Sequence, residues 1–132
     1  MRSGYLYFIG LNLLWAAVIF VLCVMPQEDI PDPGFRIPYM DKIVHFGMYF
    51  IASLLMAYPL ERYCRWNLRE IGVLAVAFAC LFGGMIEIVQ ARFFARSGDW
   101  YDLLADVVGG VAGCLAYPVV KRFFLQSKHR SE

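Results

Sequence analysis

Charged residues are scarce in this chain, and neither sign of charge dominates. Asp, Glu, Lys and Arg make up 17% of the 132 residues, hydrophobic residues make up 61%, and the formal net charge is +1. Without a basic surplus the chain lacks the electrostatic attraction that nucleic acids require, so we expect no nucleic-acid partner. The apolar share is too large for a small soluble domain, and the length allows one domain, which predicts a single membrane-embedded unit.

The short motifs of common enzyme and metal sites are also missing. The chain contains no P-loop, GxGxxG, HExxH or CxxC sequence, and its four cysteines are scattered without a pairing pattern. Phosphate-binding loops, zincin sites and CxxC redox sites are therefore not indicated. Any functional site has to be built from residues that are distant in the sequence.

Four long apolar stretches are present instead, at about residues 5–25, 42–58, 71–90 and 103–125. Stretches of about 17–25 apolar residues are long enough to cross a bilayer as helices. Helix is favoured over strand because an open strand edge has no hydrogen-bond partners in hydrocarbon. The sequence therefore predicts an all-α, integral membrane bundle of four transmembrane helices, forming a single domain over residues 1–132, whose second helix stops at Pro59.

The distribution of Lys and Arg predicts the orientation of these helices. If the N-terminus lies in the cytoplasm, eight basic residues are cytoplasmic: Arg2, Arg62, Arg65, Arg69, Lys121, Arg122, Lys128 and Arg130. The other four are external: Arg36, Lys42, Arg92 and Arg96. Cytoplasmic loops of membrane proteins carry the excess of positive charge, so we expect both termini in the cytoplasm.

The other polar residues are concentrated at one end of the predicted bundle. With this topology, the outer ends of three helices and one adjoining loop carry Asp41, His45, Glu87, Gln90, Arg92, Arg96, Asp99, Asp102 and Asp106. The cytoplasmic halves of the helices carry almost no ionisable groups. This one-sidedness predicts a polar site at the outer membrane face.

Helical spacing predicts that these side chains converge. Residues 41, 45 and 49 are spaced i, i+4 and i+8 and share one stripe of the second helix. On the fourth helix the acidic face continues into Gly109 and Gly113, and small residues on a membrane helix allow a neighbouring backbone to approach closely. We therefore expect the acidic faces to point into the bundle and to form one cavity.

Structural explanations compete with functional ones for several of these residues. Asp41 can cap the second helix, His45 can be a bonded interior histidine, and Arg92 and Arg96 can be interfacial anchors. Glu87 and Asp106 lie inside the predicted spans, where a charge facing lipid costs a few kcal/mol. They are the stronger functional candidates, and Arg92 and Arg96 are the expected partners of Glu87 and Asp99, with Lys42 nearby.

The pattern resembles the VanZ-like family. The resemblance rests on the runs Asp41-Lys42-x-x-His45-Phe46-x-x-Tyr49, Glu87-x-x-Gln90-x-Arg92 and Arg96-x-x-Asp99-x-x-Asp102-x-x-x-Asp106-x-x-Gly109-x-x-x-Gly113. It covers nearly the whole chain and implies a small bacterial membrane protein, with the founding member associated with resistance to the glycopeptide teicoplanin. One departure is Asp106, where many members carry Asn, which adds an acid to a crowded site.

Two functions remain open from the sequence. One is a binder of a membrane lipid or lipid-linked envelope precursor in the bacterial cytoplasmic membrane; the other is a hydrolase or transferase acting on such a substrate. The expected catalytic residues are Asp41, His45 and Glu87, with Asp41 one helical turn from His45 and able to orient its imidazole. The expected substrate-binding residues are Gln90, Arg92, Arg96, Asp99, Asp102 and Asp106. A divalent metal ion fits either function, because five carboxylates outnumber the nearby cations. Transport is disfavoured because the inner halves are apolar.

Overall fold

The computed structural model describes residues 2–25, 34, 38–94 and 98–130, with side chains given for 3–25, 34, 38–94 and 98–124. The described residues form four helices: α1 (Arg2–Val24), α2 (Met40–Cys64), α3 (Leu68–Phe93) and α4 (Trp100–Arg130). Each contains a segment long and apolar enough to cross a membrane, the last ending at Phe124. The predicted all-α bundle of four transmembrane helices is confirmed.

Helix α2 is longer than the sequence predicted. We expected it to stop before Pro59, whereas it continues through this buried proline to Cys64. That prediction is wrong because a membrane helix tolerates an internal proline when neighbouring helices accommodate the freed backbone groups. The helix ends at Arg65, whose left-handed backbone (φ 61°) directs its N–H to the carbonyl of Leu60.

A capping box starts α3 almost immediately after α2 ends. The side chain of Asn67 accepts a hydrogen bond from the backbone N–H of Glu70 (3.0 Å), and the N–H of Asn67 donates to the carboxylate of Glu70 (2.8 Å). This reciprocal pair satisfies two backbone donors at the helix start. The short turn makes α2 and α3 antiparallel neighbours.

Helices α2 and α4 run in the same direction and pack backbone to backbone at two points. A Cβ atom added at Gly109 would collide with the carbonyl of Phe46, and one added at Gly113 would collide with that of Phe50. Both glycines are buried. The predicted packing role of this small-residue pair is confirmed, and it sets the register of α4 against α2.

Helix α1 is attached to α2 through polar side chains that donate to backbone carbonyls. The amide of Asn12 donates to Leu55 (3.2 Å), and the indole of Trp15 donates to Met48 (3.0 Å). The main buried cluster beside these contacts consists of Ile19, Cys23, Met48, Tyr49, Ala52, Ala79 and Ile86. The half of the bundle that holds the N-terminal ends of α2 and α4 carries the site described next.

Candidate functional site

A buried histidine–carboxylate pair joins α2 to α4. Nδ1 of His45 lies 2.9 Å from Oδ1 of Asp106, and the two residues are 5% and 1% exposed. We expected Asp41 to orient this histidine, but Asp106 does so. Asp41 lies one helical turn closer to the membrane surface, where it is exposed and bonds Lys42 (3.1 Å).

Lys42 is the central cation of the site. Its Nζ lies 2.7 Å from Oδ2 of Asp99 and 3.0 Å from Oδ1 of Asp102, in addition to its contact with Asp41. The hydrogen bond from Lys42 holds the pKa of Asp99 below its ordinary value of 3.8. Lys42 thus links the start of α2 to Asp102 in the first turn of α4 and to Asp99, the residue just before α4.

Glu87 is the acid that α3 contributes, and one of its two carboxylate oxygens has no hydrogen-bond partner in the described part of the chain. Oε2 accepts a hydrogen bond from the backbone N–H of Asp99 (2.9 Å). Among the described residues nothing bonds Oε1, although the side chain is only 9% exposed. An unsatisfied buried acceptor costs about 1–3 kcal/mol, and more when it is charged. An unsatisfied buried group of this kind calls for an explanation, and a catalytic role or a bound water or ion is one that fits a polar site.

A widened turn of α3 makes room for Asp106. Residues Ala79–Gly83 form a π-helical turn, a feature common at functional sites. A Cβ atom at Gly83 would lie 2.5 Å from Oδ2 of Asp106 and 3.2 Å from the hydroxyl of Tyr49. Only glycine therefore leaves Asp106 space against α3. The Tyr49 hydroxyl is buried beside it with no hydrogen-bond partner in the described part of the chain.

The side chain of Gln90 is buried in a contact between two helices. Its side-chain amide donates to the backbone carbonyl of Cys23 at the end of α1, and the residue is 3% exposed. This bond fastens α1 to α3 at the site end of the bundle. The predicted substrate-binding role of Gln90 stays a prediction, and the contact gives the residue another function.

Of the two arginines expected to neutralise the site, the structure describes only Arg92, which does not do so. Arg92 is exposed and forms no ion pair with any described residue, while Arg96 lies outside the described residues. Lys42 takes the place predicted for an arginine beside Asp99. Counted over the described residues alone, five carboxylates therefore surround one lysine and one histidine, an excess of negative charge.

Two groups of side chains at this site have the spacing of cation ligands. His45, Glu87 and Asp102, all buried, each offer one ligand atom, and these atoms lie within 4.8 Å of one another. Ligand atoms of Asp41, Asp99 and Asp102 lie equally close to one another, nearer the surface. The first group combines nitrogen and oxygen donors, and the second offers oxygen alone.

An apolar groove leads to the acids from the side of the bundle. It has a volume of about 680 Å³ and lies between the second half of α3 and the start of α4. Its walls include Leu81, Met85 and Ile88, which are exposed, and its polar lining includes Glu87 and Asp99. In a bilayer this groove opens toward lipid.

Sequence reasoning missed two members of the site. Lys42 was considered only as a nearby cation, although it lies three residues before His45 on α2 and so shares its helical face. The contact of Gly83 with Asp106 was not foreseen. The three-residue spacing of Lys42 and His45 was enough to predict that they share a helical face. No feature of the sequence indicated the π-helical turn at Gly83.

Comparison with known proteins places the chain in a family. It is 26% identical over 110 residues to "Uncharacterized protein C11E3.10" of Schizosaccharomyces pombe, covering 83% of this chain and 65% of that protein. It is 29% identical over 98 residues to "Putative transporter SVOPL" of Mus musculus, covering 74% of this chain and 18% of that protein. The chain thus spans less than two thirds of the length of either relative.

No solved structure gives a significant match to the chain. The sequence profile of the VanZ/LLP1 family, in contrast, matches residues 8–121, which include α2, α3, most of α1 and α4, and every candidate site residue. This agrees with the resemblance carried by the runs from Asp41 to Tyr49 and from Glu87 to Gly113. The chain is a multi-pass membrane protein that belongs to the VanZ/LLP1 family.

Proposed function

We propose that this protein binds a lipid or lipid-linked cell-envelope precursor, with the headgroup in the acidic site and the apolar tail in the adjoining groove. The single observation that carries the proposal is the groove of about 680 Å³ whose apolar walls end on Glu87 and Asp99. Ligand sites are typically concave, apolar and of this size, with a few polar groups that fix orientation.

An amphiphile fits this arrangement better than a water-soluble ligand does. The groove walls at Leu81 and Ile88 are 76% and 59% exposed, so in a membrane they contact lipid chains. A molecule diffusing in the bilayer reaches them without leaving hydrocarbon. Its headgroup then meets carboxylates, which favour a headgroup with amine or hydroxyl donors, or one bridged by a cation.

The site is proposed to face the outside of a bacterial cytoplasmic membrane, with both termini in the cytoplasm. The support is the eight-to-four distribution of Lys and Arg described above. Reporter fusions after Cys64 and after Phe94 test this topology. Activity of a cytoplasmic reporter at the first position and of an external reporter at the second is expected, and the reverse result would exclude it.

The binding proposal is tested by filling the groove. Gly84 lines it, and a Cβ atom there meets nothing within 4 Å, so Gly84→Trp occupies the groove without an initial collision. Gly10→Trp is the matched control, because Gly10 on α1 is equally open and lies outside the groove. Both changes remove a helical glycine.

The measurement is native mass spectrometry of the purified chain with three added lipids: polyprenyl phosphate, phosphatidylglycerol and phosphatidylethanolamine. The expected result is selective retention of one lipid by the wild type and by Gly10→Trp, and its loss from Gly84→Trp. Equal retention by both variants, or no selectivity among the three lipids, would contradict the proposal.

A hydrolase or transferase is the second candidate, and the His45–Asp106 contact favours it. A carboxylate bonded to one imidazole nitrogen leaves the other available to accept a proton from a reacting group. Asp106 rather than Asp41 is then the orienting residue, with Glu87 as the second acid–base group. For a catalyst, His45→Asn removes turnover of the retained lipid while its binding persists; for a binder, no turnover occurs in either protein.

Glycopeptide resistance is the physiological part of this proposal and is implied by the family resemblance. Expression of the chain in a teicoplanin-susceptible bacterium is expected to raise the inhibitory concentration of teicoplanin. Gly84→Trp is expected to cancel the increase and Gly10→Trp to preserve it. An unchanged inhibitory concentration with the wild-type chain would remove resistance from the proposed function.

A further inference from the structure

We propose that His45, Glu87 and Asp102 bind one divalent metal ion that faces the headgroup end of the groove. This inference rests on the proposed function, because both use the same site. A bound metal ion is the group that allows an acidic site to accept a phosphate-bearing headgroup. Ligand atoms of the three residues lie within 4.8 Å of one another. A cation about 2.0–2.6 Å from each ligand spans such separations.

The His45–Asp106 contact prepares the histidine for this role. Oδ1 of Asp106 lies 2.9 Å from Nδ1, and because an ionised carboxylate can only accept a hydrogen bond, the contact favours the tautomer that carries its proton on Nδ1. In the neutral imidazole with this tautomer, Nε2 carries the free electron pair, and it lies 4.0 Å from Oδ2 of Asp102, too far for a hydrogen bond. Histidines that ligate metals characteristically donate their other N–H to a carboxylate, which fixes the tautomer and the ring orientation.

Each acid offers an oxygen that no described residue uses. Oδ1 of Asp102 accepts from Lys42, which leaves Oδ2, facing His45, without a hydrogen bond in the described structure. Oε2 of Glu87 accepts from the N–H of Asp99, which leaves Oε1 buried and unpartnered there. Two unused carboxylate oxygens and one imidazole nitrogen, contributed by three different helices, are the donor set of a metal site.

The types of ligand atom and the charge of the three residues indicate which metal ions fit the site. Mixed imidazole and carboxylate ligands suit Mn²⁺ or Zn²⁺ better than Mg²⁺ or Ca²⁺, which prefer oxygen alone. Two carboxylates balance the charge of a divalent ion. The second acidic group, Asp41 with Asp99 and Asp102, is already bonded to Lys42 through all three residues, so it has less need of a cation.

The experiment uses Mn²⁺ as the probe on the full chain purified in detergent and stripped with EDTA. The electron paramagnetic resonance signal of aqueous Mn²⁺ is expected to fall until about one ion per chain is bound, and Zn²⁺ is expected to compete. Electron spin-echo modulation of the bound ion is expected to contain the coupling of one imidazole ¹⁴N. Absence of binding, or binding without a nitrogen coupling, would overturn the proposal without the need for any variant.

Variants then locate the ion. Glu87→Gln is expected to weaken Mn²⁺ binding by at least about tenfold, whereas Glu61→Gln, the same change at the opposite end of the bundle, is expected to leave it unchanged. Asp41→Asn separates the two acidic groups. Loss of binding in Asp41→Asn with full binding in Glu87→Gln would assign the ion to the surface group and refute this site.

The lipid measurement is made on the same EDTA-stripped protein with and without Mn²⁺. Metal binding without any lipid retention would contradict the proposed function and leave the metal site standing. Lipid retention without metal binding would do the opposite. Lipid retention that increases with Mn²⁺ supports both.

Discussion

His45 on α2 and Asp106 on α4 form a buried hydrogen bond of 2.9 Å between two helices that run in the same direction. The bond exists because α4 approaches α2 closely at Gly109, one turn deeper in the membrane, where the backbones touch. The packing of two glycines thus determines which acid reaches His45.

Asp106→Ala is expected to destabilise the protein by about 1–3 kcal/mol, because it leaves the buried Nδ1–H of His45 without an acceptor. Asp106→Asn is expected to be much closer to the wild type, since the amide oxygen still accepts that bond. Unfolding in mixed micelles with increasing SDS measures both. Equal destabilisation by the two variants would mean that the charge of Asp106, and not its hydrogen bond, is what matters.

Gly109→Ala is expected to destabilise the bundle by about 1–3 kcal/mol, the usual cost of overpacking a close contact, because the new methyl group collides with the carbonyl of Phe46. Gly47→Ala on α2 is the control, since its Cβ meets nothing within 4 Å. Alanine favours helix over glycine at both positions. A Gly109→Ala protein as stable as Gly47→Ala would contradict the close approach of α2 and α4.

Lys42→Met is expected to cost about 1–3 kcal/mol, because it leaves the buried carboxylate of Asp102 without the lysine ammonium that bonds it. Lys121→Met is the control, since Lys121 pairs with Glu61 (2.7 Å) at the opposite end, where both side chains are more than a third exposed. Exposed pairs contribute about 0–1 kcal/mol. The same SDS titration compares them, and equal effects would argue against a special role for Lys42.

Asp99 is expected to titrate below 3.8 in the folded protein, because Lys42 stabilises its ionised form. A lowered folded-state pKa contributes stability at pH values above the unfolded value, and this contribution is lost as the pH falls through the folded value. Carboxyl ¹³C resonances of labelled aspartate measure the midpoint directly. In Lys42→Met the midpoint should rise toward 3.8, and an unchanged midpoint would refute the assigned cause.

Helical periodicity made a large part of the site predictable. The inward orientation of Asp106 followed from its position on the face of Gly109 and Gly113, and its burial bears out that argument. Glu87 was expected to point inward because a charge inside a span is costly when it faces lipid, and it is buried. These predictions needed only the geometry of one helix at a time.

Pairing between helices was not predictable in the same way. Asp41 and Asp106 both lay on faces that point toward the site, and the sequence favoured Asp41 as the partner of His45 because it is one turn away on the same helix. Asp41, four residues before His45 on α2, competes with Asp106 on α4 for the imidazole. The close approach of the α2 and α4 backbones favours Asp106. Similarly, Lys42 reaches Asp99 and Asp102, whereas Arg92, from the end of α3, remains exposed.

The amino-acid sequence alone determined that the chain forms four membrane-spanning helices with its acids at one end, because span length, hydropathy and helical spacing are local properties. Only the tertiary structure decided which acid holds the histidine, which cation holds the acids and which carboxylate oxygens are left unused. Those outcomes depend on the register of α4 against α2, and that register is set where glycine allows two backbones to touch.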